Sequence, residues 1–307
     1  VNNINHLIIS SSADYSTDLI CCEFEKRGSS YFRLNRDQFS EFDILYRLSD
    51  NNLHVTVDNE DYVIDSKDLI SVYFRAPVFL RSSNKTYSLE EQLYKSQWSS
   101  FIRNLCVFES ANWVNHPVNT YKAENKVLQL KIAKNSGFII PKTFVGNTLP
   151  SELNEEELYI VKSIDTALFY DNGQEMFTYS TKTTGEELLG SELKAAPVII
   201  QECLSNKIDI RVTIIGDKIF PVSVTNNGLS IDGDWRRTPK ELLKYTPIKL
   251  PETVVESIQK TMKSLGLKFG GMDLAVVDDK YYFIEVNPTG EWGWLVSSAN
   301  YQSTGQS

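Results

Sequence analysis

The clearest pattern in the chain lies near its end. Runs of apolar, β-branched and aromatic residues, each interrupted by an acid, span 271–276 and 283–288 with Asp278, Asp279 and Lys280 between them, so the two predict a β-hairpin. If three residues form the turn, Asp273 lies across from Glu285, with Asn287 on the same face two residues on. A two-residue turn would shift that pairing by one. Upstream, 197–204 reads as a buried strand running into a polar break. Residues 209–215 alternate, turn at Gly216-Asp217 and return through 219–224. Alternation there puts Asp209 and Arg211 on one face and Ile210, Val212 and Ile214 on the other.

The first half mixes the two periodicities. Residues 6–10 predict a short apolar strand, 17–27 a helix stopped by Gly28, and 31–34 a second strand, which is a βαβ start. A hairpin is expected over 53–57 and 61–64, then a buried strand over 70–74 ending at Arg75-Ala76-Pro77. A helix over 89–105 would turn Leu89, Leu93, Phe101, Ile102 and Leu105 inward. A boundary is expected at Asn115-His116-Pro117. Beyond it, 120–136 predicts one helix, capped by Gly137 and stopped before Pro141, with Lys122 and Lys126 one turn apart. Residues 158–162 form an apolar strand whose end delivers Lys162. The first domain is α/β without a dinucleotide loop, because Ser10-Ser11-Ser12-Ala13-Asp14 lacks the glycines that let a backbone approach a pyrophosphate.

Composition narrows the partners. A length of 307 residues fits roughly two domains, and 41% hydrophobic with 23% charged residues excludes a chain disordered throughout. A net charge of -9 with no concentrated basic stretch argues against a nucleic-acid partner. Cys21, Cys22, Cys106 and Cys203 have no metal-ligand spacing and read as free thiols of a reducing cytoplasm. No export segment and no bilayer-length apolar run is present, so a cytoplasmic location without membrane contact is expected.

Two acids facing each other across a hairpin destabilise it unless something neutralises them. With Asn287 beside them, Asp273 and Glu285 suit magnesium, which keeps positions open for water and phosphate oxygens; otherwise they are two unrelated surface acids. Lys126 reads as a surface helix lysine, and Lys162 either as a phosphate ligand or as an exposed strand end. The backbone edge at Gln201-Glu202-Cys203-Leu204 can hydrogen-bond an adenine ring. Asp209 suits a ribose hydroxyl and Arg211 a terminal phosphate, or the two form a surface ion pair. Asp234-Trp235-Arg236-Arg237 sets a guanidinium beside an aromatic plane, fit for a carboxylate or phosphate, or makes a solvated basic turn.

The order of these parts resembles the ATP-grasp ligases: Asn115-x-Pro117, a lysine-bearing helix, Lys162, Gln201-Glu202, Asp209-x-Arg211, Asp273, then Glu285-x-Asn287-Pro288. Within that superfamily the chain is most similar to the graspetide synthetases, macrocycle-forming peptide maturases of the microviridin and plesiocin type. Tyr73-Phe74-Arg75-Ala76-Pro77, Asp209-Ile210-Arg211, Asp234-Trp235-Arg236 and Glu285-Val286-Asn287-Pro288 with Gly290-Glu291-Trp292-Gly293-Trp294 carry the narrower match. The resemblance implies an α/β (α+β) ATP-grasp fold with an N-terminal pre-ATP-grasp domain over 1–118, a central subdomain over 119–200 and a C-terminal subdomain over 201–307. It implies ATP held by Lys126, Lys162, Asp209 and the backbone at Glu202, Cys203 and Leu204, and Mg2+ held by Asp273, Glu285 and Asn287. Arg211 and Arg236 would stabilise the transferring phosphate.

The substrate implied is a ribosomal precursor peptide with a leader segment, whose Asp or Glu side chains become ω-esters or ω-amides; a homodimer is possible. A RimK-like or glutathione-synthetase-like ligase joining an amino acid to a peptide or small molecule is the alternative reading. Residues 163–174 depart from many ATP-grasp enzymes in carrying a single glycine. His6, His54 and His116 fall outside the nucleotide constellation, so no general base is named. The Ser/Gln-rich tail from Ser297 is expected to be disordered.

Overall fold

Tyr31–Asn35, His6–Ser10, Ser71–Phe74 and Asn112–Val114 lie side by side in that order, every pair parallel. Such a sheet needs crossover connections, and the first is the helix Tyr15–Lys26. Asp14 caps it, accepting from the Thr17 N–H at 3.1 Å, and Gly28 leaves it at φ 63°. The expected hairpin is present as Asn52–Val57 and Glu60–Asp65, and it is extended by Asn2–Asn3 on one edge and Asp43–Arg47 on the other. That last strand went unforeseen because Ile44, Leu45 and Tyr46 run together and hide the alternation. Leu7, Ile9, Leu34, Val72 and Phe74 pack with Leu53, Ile64, Ile102 and Phe108 as one core. The helix Leu89–Asn104 differs from the expected facing: Leu89 and Leu93 are 82% and 60% exposed, and its C-terminal half, through Trp98, Phe101 and Ile102, does the packing.

This computed structural model describes residues 1–75, 88–164, 168–171, 174–177 and 180–297. The Ala76-Pro77 step, much of 163–174 and the C-terminal tail lie outside the described residues. By contacts the chain divides into two units, Val1–Tyr121 with Leu267–Phe269 and Glu291–Trp294, and Lys122–Gly266 with Gly270–Gly290 and Leu295–Ser307. Cys21, Cys22, Cys106 and Cys203 are free thiols. Among the described residues no helix is long and apolar enough to cross a membrane.

Among the described residues the second unit holds a two-stranded ribbon, Leu168–Asp171 with Gln174–Phe177, and two larger sheets. Thr181–Thr184, Leu158–Lys162, Val198–Glu202 and Thr143–Gly146 form one sheet over a core of Tyr159, Leu188 and Ile200. The other runs Leu243–Pro247, Lys218–Asn226, Ile208–Ile215, Phe269–Val277, Lys280–Asn287. The single helix expected over 120–136 is two, Pro117–Ala123 and Lys126–Asn135, because Asn125 is extended. Gln129 holds the break closed by donating to the Ala123 carbonyl and exchanging hydrogen bonds with the Val286 backbone at 2.8 and 2.9 Å. The break makes Lys126 the first residue of its helix.

The C-terminal hairpin reaches the expected pairing by an unexpected route. Its turn has two residues, Asp278 and Asp279, both at positive φ (48° and 58°), the geometry that matches strand twist. Leu274 consequently pairs with Phe283, a register that alone would misalign the acids. A bulge between Asp273 and Leu274 then shifts the ladder by one, so that Asp273 faces Glu285 and Gly271 faces Asn287.

Candidate active site

One cavity of about 200 Å³ in the second unit collects the site residues singled out from the sequence, Arg211 excepted. Lys126 and Lys162 line it from a helix start and a strand end, and the Lys126 ammonium donates to the Ser163 carbonyl at 3.2 Å. Burial pulls the Lys162 pKa below the ordinary lysine range, against the opposing pull of Glu285. Gln201, Glu202, Cys203 and Leu204 form another wall. There the Glu202 and Cys203 N–H groups are committed to the Lys142 and Leu158 carbonyls at 2.9 and 3.0 Å, and Gln201 is buried on Thr143 at 2.9 Å.

Asp209 lines the cavity and pairs with Lys207, a partner the sequence reading missed although Lys-x-Asp alternation places both on one face. Burial pushes the Asp209 carboxyl up to about 6, with Lys207 opposing. Arg236 also reaches the wall. Its guanidinium grips Asp234 with Nε at 2.9 Å and Nη2 at 2.8 Å, and Nη1 stands 3.8 Å from Glu285. The loop bearing these residues is tied to the neighbouring sheet by Lys182 on Asp232 at 2.8 Å.

Asp273, Glu285 and Asn287 face this same space. The two carboxylates are largely buried, at 16% and 14% exposure. Burial and the Glu285 charge push Asp273 up despite Arg211; burial opposes the charge of Glu285 too, but Arg236, Lys126 and Lys162 outweigh it and hold Glu285 low. Asn287 lies 3.4 Å from Asp273 through Nδ2, and a turn of its amide would present oxygen instead. Among the described residues no group of three His, Cys, Asp or Glu side chains gathers as a metal site. Two carboxylates and an amide on a phosphate-sized cavity fit magnesium, which takes a few protein oxygens and leaves the rest to water and phosphate.

Arg211 is placed otherwise than the cavity wall. It is buried beside Asp273, with Nη1 donating to Oδ1 at 3.0 Å and Oδ2 at 3.1 Å. In the first unit, two distant motifs meet: Arg75 bonds Asp14 and Glu291 at 2.9 Å each, Glu291 accepts from Ser16, and the Trp292 indole donates to the Tyr73 hydroxyl at 3.4 Å. His6, His54 and His116 are outside the cavity lining.

No protein-family model and no curated protein matches the sequence. Solved structures do. The macrocyclase MdnC from Microcystis aeruginosa MRC, bound with its precursor peptide MdnA, superposes with a TM-score of 0.81 at 26% identity, covering 97% of this chain and 95% of that one. The chain has the ATP-grasp fold. A RiPP-associated ATP-grasp ligase from Chryseobacterium gregarium, in complex with ADP and a leader and core peptide, gives 0.80 at 22% identity over 98% and 93%. The ATP-grasp ligase PsnB, complexed with a minimal precursor, Mg and ADP, gives 0.69 at 19% over 94% and 91%. These ATP-grasp neighbours are the peptide-maturing group that the sequence resembles.

Proposed function

We propose that this chain is an ATP-dependent macrocyclase that activates an Asp or Glu side chain of a ribosomal precursor peptide and closes an ω-ester or ω-amide ring. The observation that carries this reading is the convergence of Lys126, Lys162, Arg236, Asp273, Glu285 and Asn287 on one cavity in a chain of ATP-grasp fold. The relatives bound to precursor peptides support the substrate class.

The chemistry follows from the parts. A carboxylate lacks a usable leaving group, so one of its oxygens first takes the γ-phosphoryl group of ATP and ADP departs. A hydroxyl or amine of the same peptide then attacks the acyl carbon, loses its proton and expels phosphate. Lys126 and Lys162 hold phosphate oxygens, and the wall at Glu202, Cys203 and Leu204 with Asp209 receives the nucleoside. Arg236 offers its guanidinium to charge developing on the transferred group. Asp273, Glu285 and Asn287 would hold magnesium, which when bound would supply neutralisation of phosphate charge. Tethering matters as well: a leader docked away from Asp273 and Glu285 makes core binding effectively intramolecular.

The test compares ATP consumption with full-length precursor, with leaderless core, and with free glutamate plus an amine. The proposal expects the full-length peptide to be far the best substrate. Equal rates with and without leader, or efficient joining of the free amino acid, would favour the amino-acid ligase reading instead.

A further inference from the structure

Gly271 and Gly290 stand on the two chain segments that flank the Arg211 guanidinium. A β-carbon on Gly271 would lie 2.5 Å from Cζ of Arg211 and closer still to Nη2; one on Gly290 would lie 2.7 Å from Nη2. Neither glycine has a left-handed backbone, so alanine is opposed there by the arginine rather than by φ. Gly271 pairs across the ladder with Asn287, two residues from Asp273, and the Gly290 N–H donates to the Asn287 carbonyl at 3.1 Å. The guanidinium therefore packs against the backbone at Gly271, on the strand that carries Asp273, and at Gly290, three residues past Asn287. From that slot it reaches both oxygens of Asp273.

We propose that Gly271 and Gly290 form a slot that seats Arg211 on Asp273, and that all three are positioning residues fixing this carboxylate for the metal. Bulk in the slot would displace the planar fork. Asp273 would keep its place in the strand and lose the Nη1 donor shared by its two carboxylate oxygens, the kind of outer contact whose loss weakens metal binding. The inference rests on the assignment of Asp273 to magnesium, but not on what the enzyme joins.

A double-mutant cycle tests it with Gly271→Ala, Arg211→Met and the pair. Two readouts are used: the thermal midpoint of the metal-free protein, and the magnesium concentration that half-saturates the enhancement of ADP binding. Gly271→Ala alone should lower the midpoint and raise the magnesium requirement about tenfold. With the guanidinium gone, the same alanine should change neither further, since the two residues act through one contact. Gly290→Ala should behave like Gly271→Ala. Gly270→Ala, whose β-carbon would meet Met262 and Val286 at 3.1 Å, should leave the magnesium requirement unchanged. Multiplying effects in the pair, or an equal magnesium shift in Gly270→Ala, would sink the slot. A wild-type protein whose ADP binding ignores magnesium would sink the metal assignment and the slot with it, whereas what the enzyme joins is tested separately by the leader comparison.

Discussion

Glu285 owes its low pKa to a concentration of positive charge rather than to solvent. Burial alone would favour its neutral form, and Arg236, Lys126 and Lys162 reverse the balance. Lys162 feels the same economy from the other side, its ammonium disfavoured by burial and sustained by Glu285. Glu285→Gln therefore does two things. It removes a metal oxygen, which costs several kcal/mol of charge stabilisation, and at about 1.4 kcal/mol per tenfold the ATP turnover should fall roughly 100-fold or more. It also strands the neighbouring cations, so the metal-free protein should melt lower than wild type at neutral pH. Because the folded pKa of Glu285 is depressed, that stability gap is present above the ordinary carboxyl value and closes as pH falls through the lowered one. Turnover at the wild-type rate in the variant would show that Glu285 is not a ligand.

Elements bring these residues together by devices of very different visibility. The facing of Asp273 and Glu285 is as expected, although by another turn, whereas Arg211, expected to share a site with Asp209 by strand alternation, lies off the cavity wall on Asp273. The bulge at Asp273 and the two-residue turn were not legible, since each shifts register by one and the two compensate. Nor was the helix break at Asn125, which depends on Gln129 meeting Val286 157 residues away. The pairing of Arg75 with Glu291 is separated by 216 residues and is equally invisible locally. Its partner Asp14 yields an element-scale prediction. Burial raises the Asp14 pKa, but Arg75, the Thr17 N–H and the Ser10 hydroxyl more than offset this, and the group titrates below its ordinary 3.8. Asp14→Asn keeps an N-cap and loses the charge, so it should cost about 3 kcal/mol at pH 7 in urea unfolding. The difference should persist down to the unfolded value and vanish as pH falls through the lowered folded one. A pH-independent difference would show that the loss does not come from the ion pair.

For the molecule as a whole, the order of weak motifs was more informative than any one of them, and the ATP-grasp structures superpose on nearly the full chain. The net charge is -9, yet Lys126, Lys162, Lys207 and Arg236 stand together on the wall of one cavity. The central claim is that a side-chain carboxylate and a nucleophile of one peptide are joined with loss of water. Co-expression of this chain with a candidate precursor peptide, followed by intact and tandem mass spectrometry, measures that directly. The account predicts products lighter by one water for each ring, with fragmentation suppressed between the joined residues and no loss in the presence of Glu285→Gln. A precursor of unchanged mass, or one that gains an added amino acid, would contradict it.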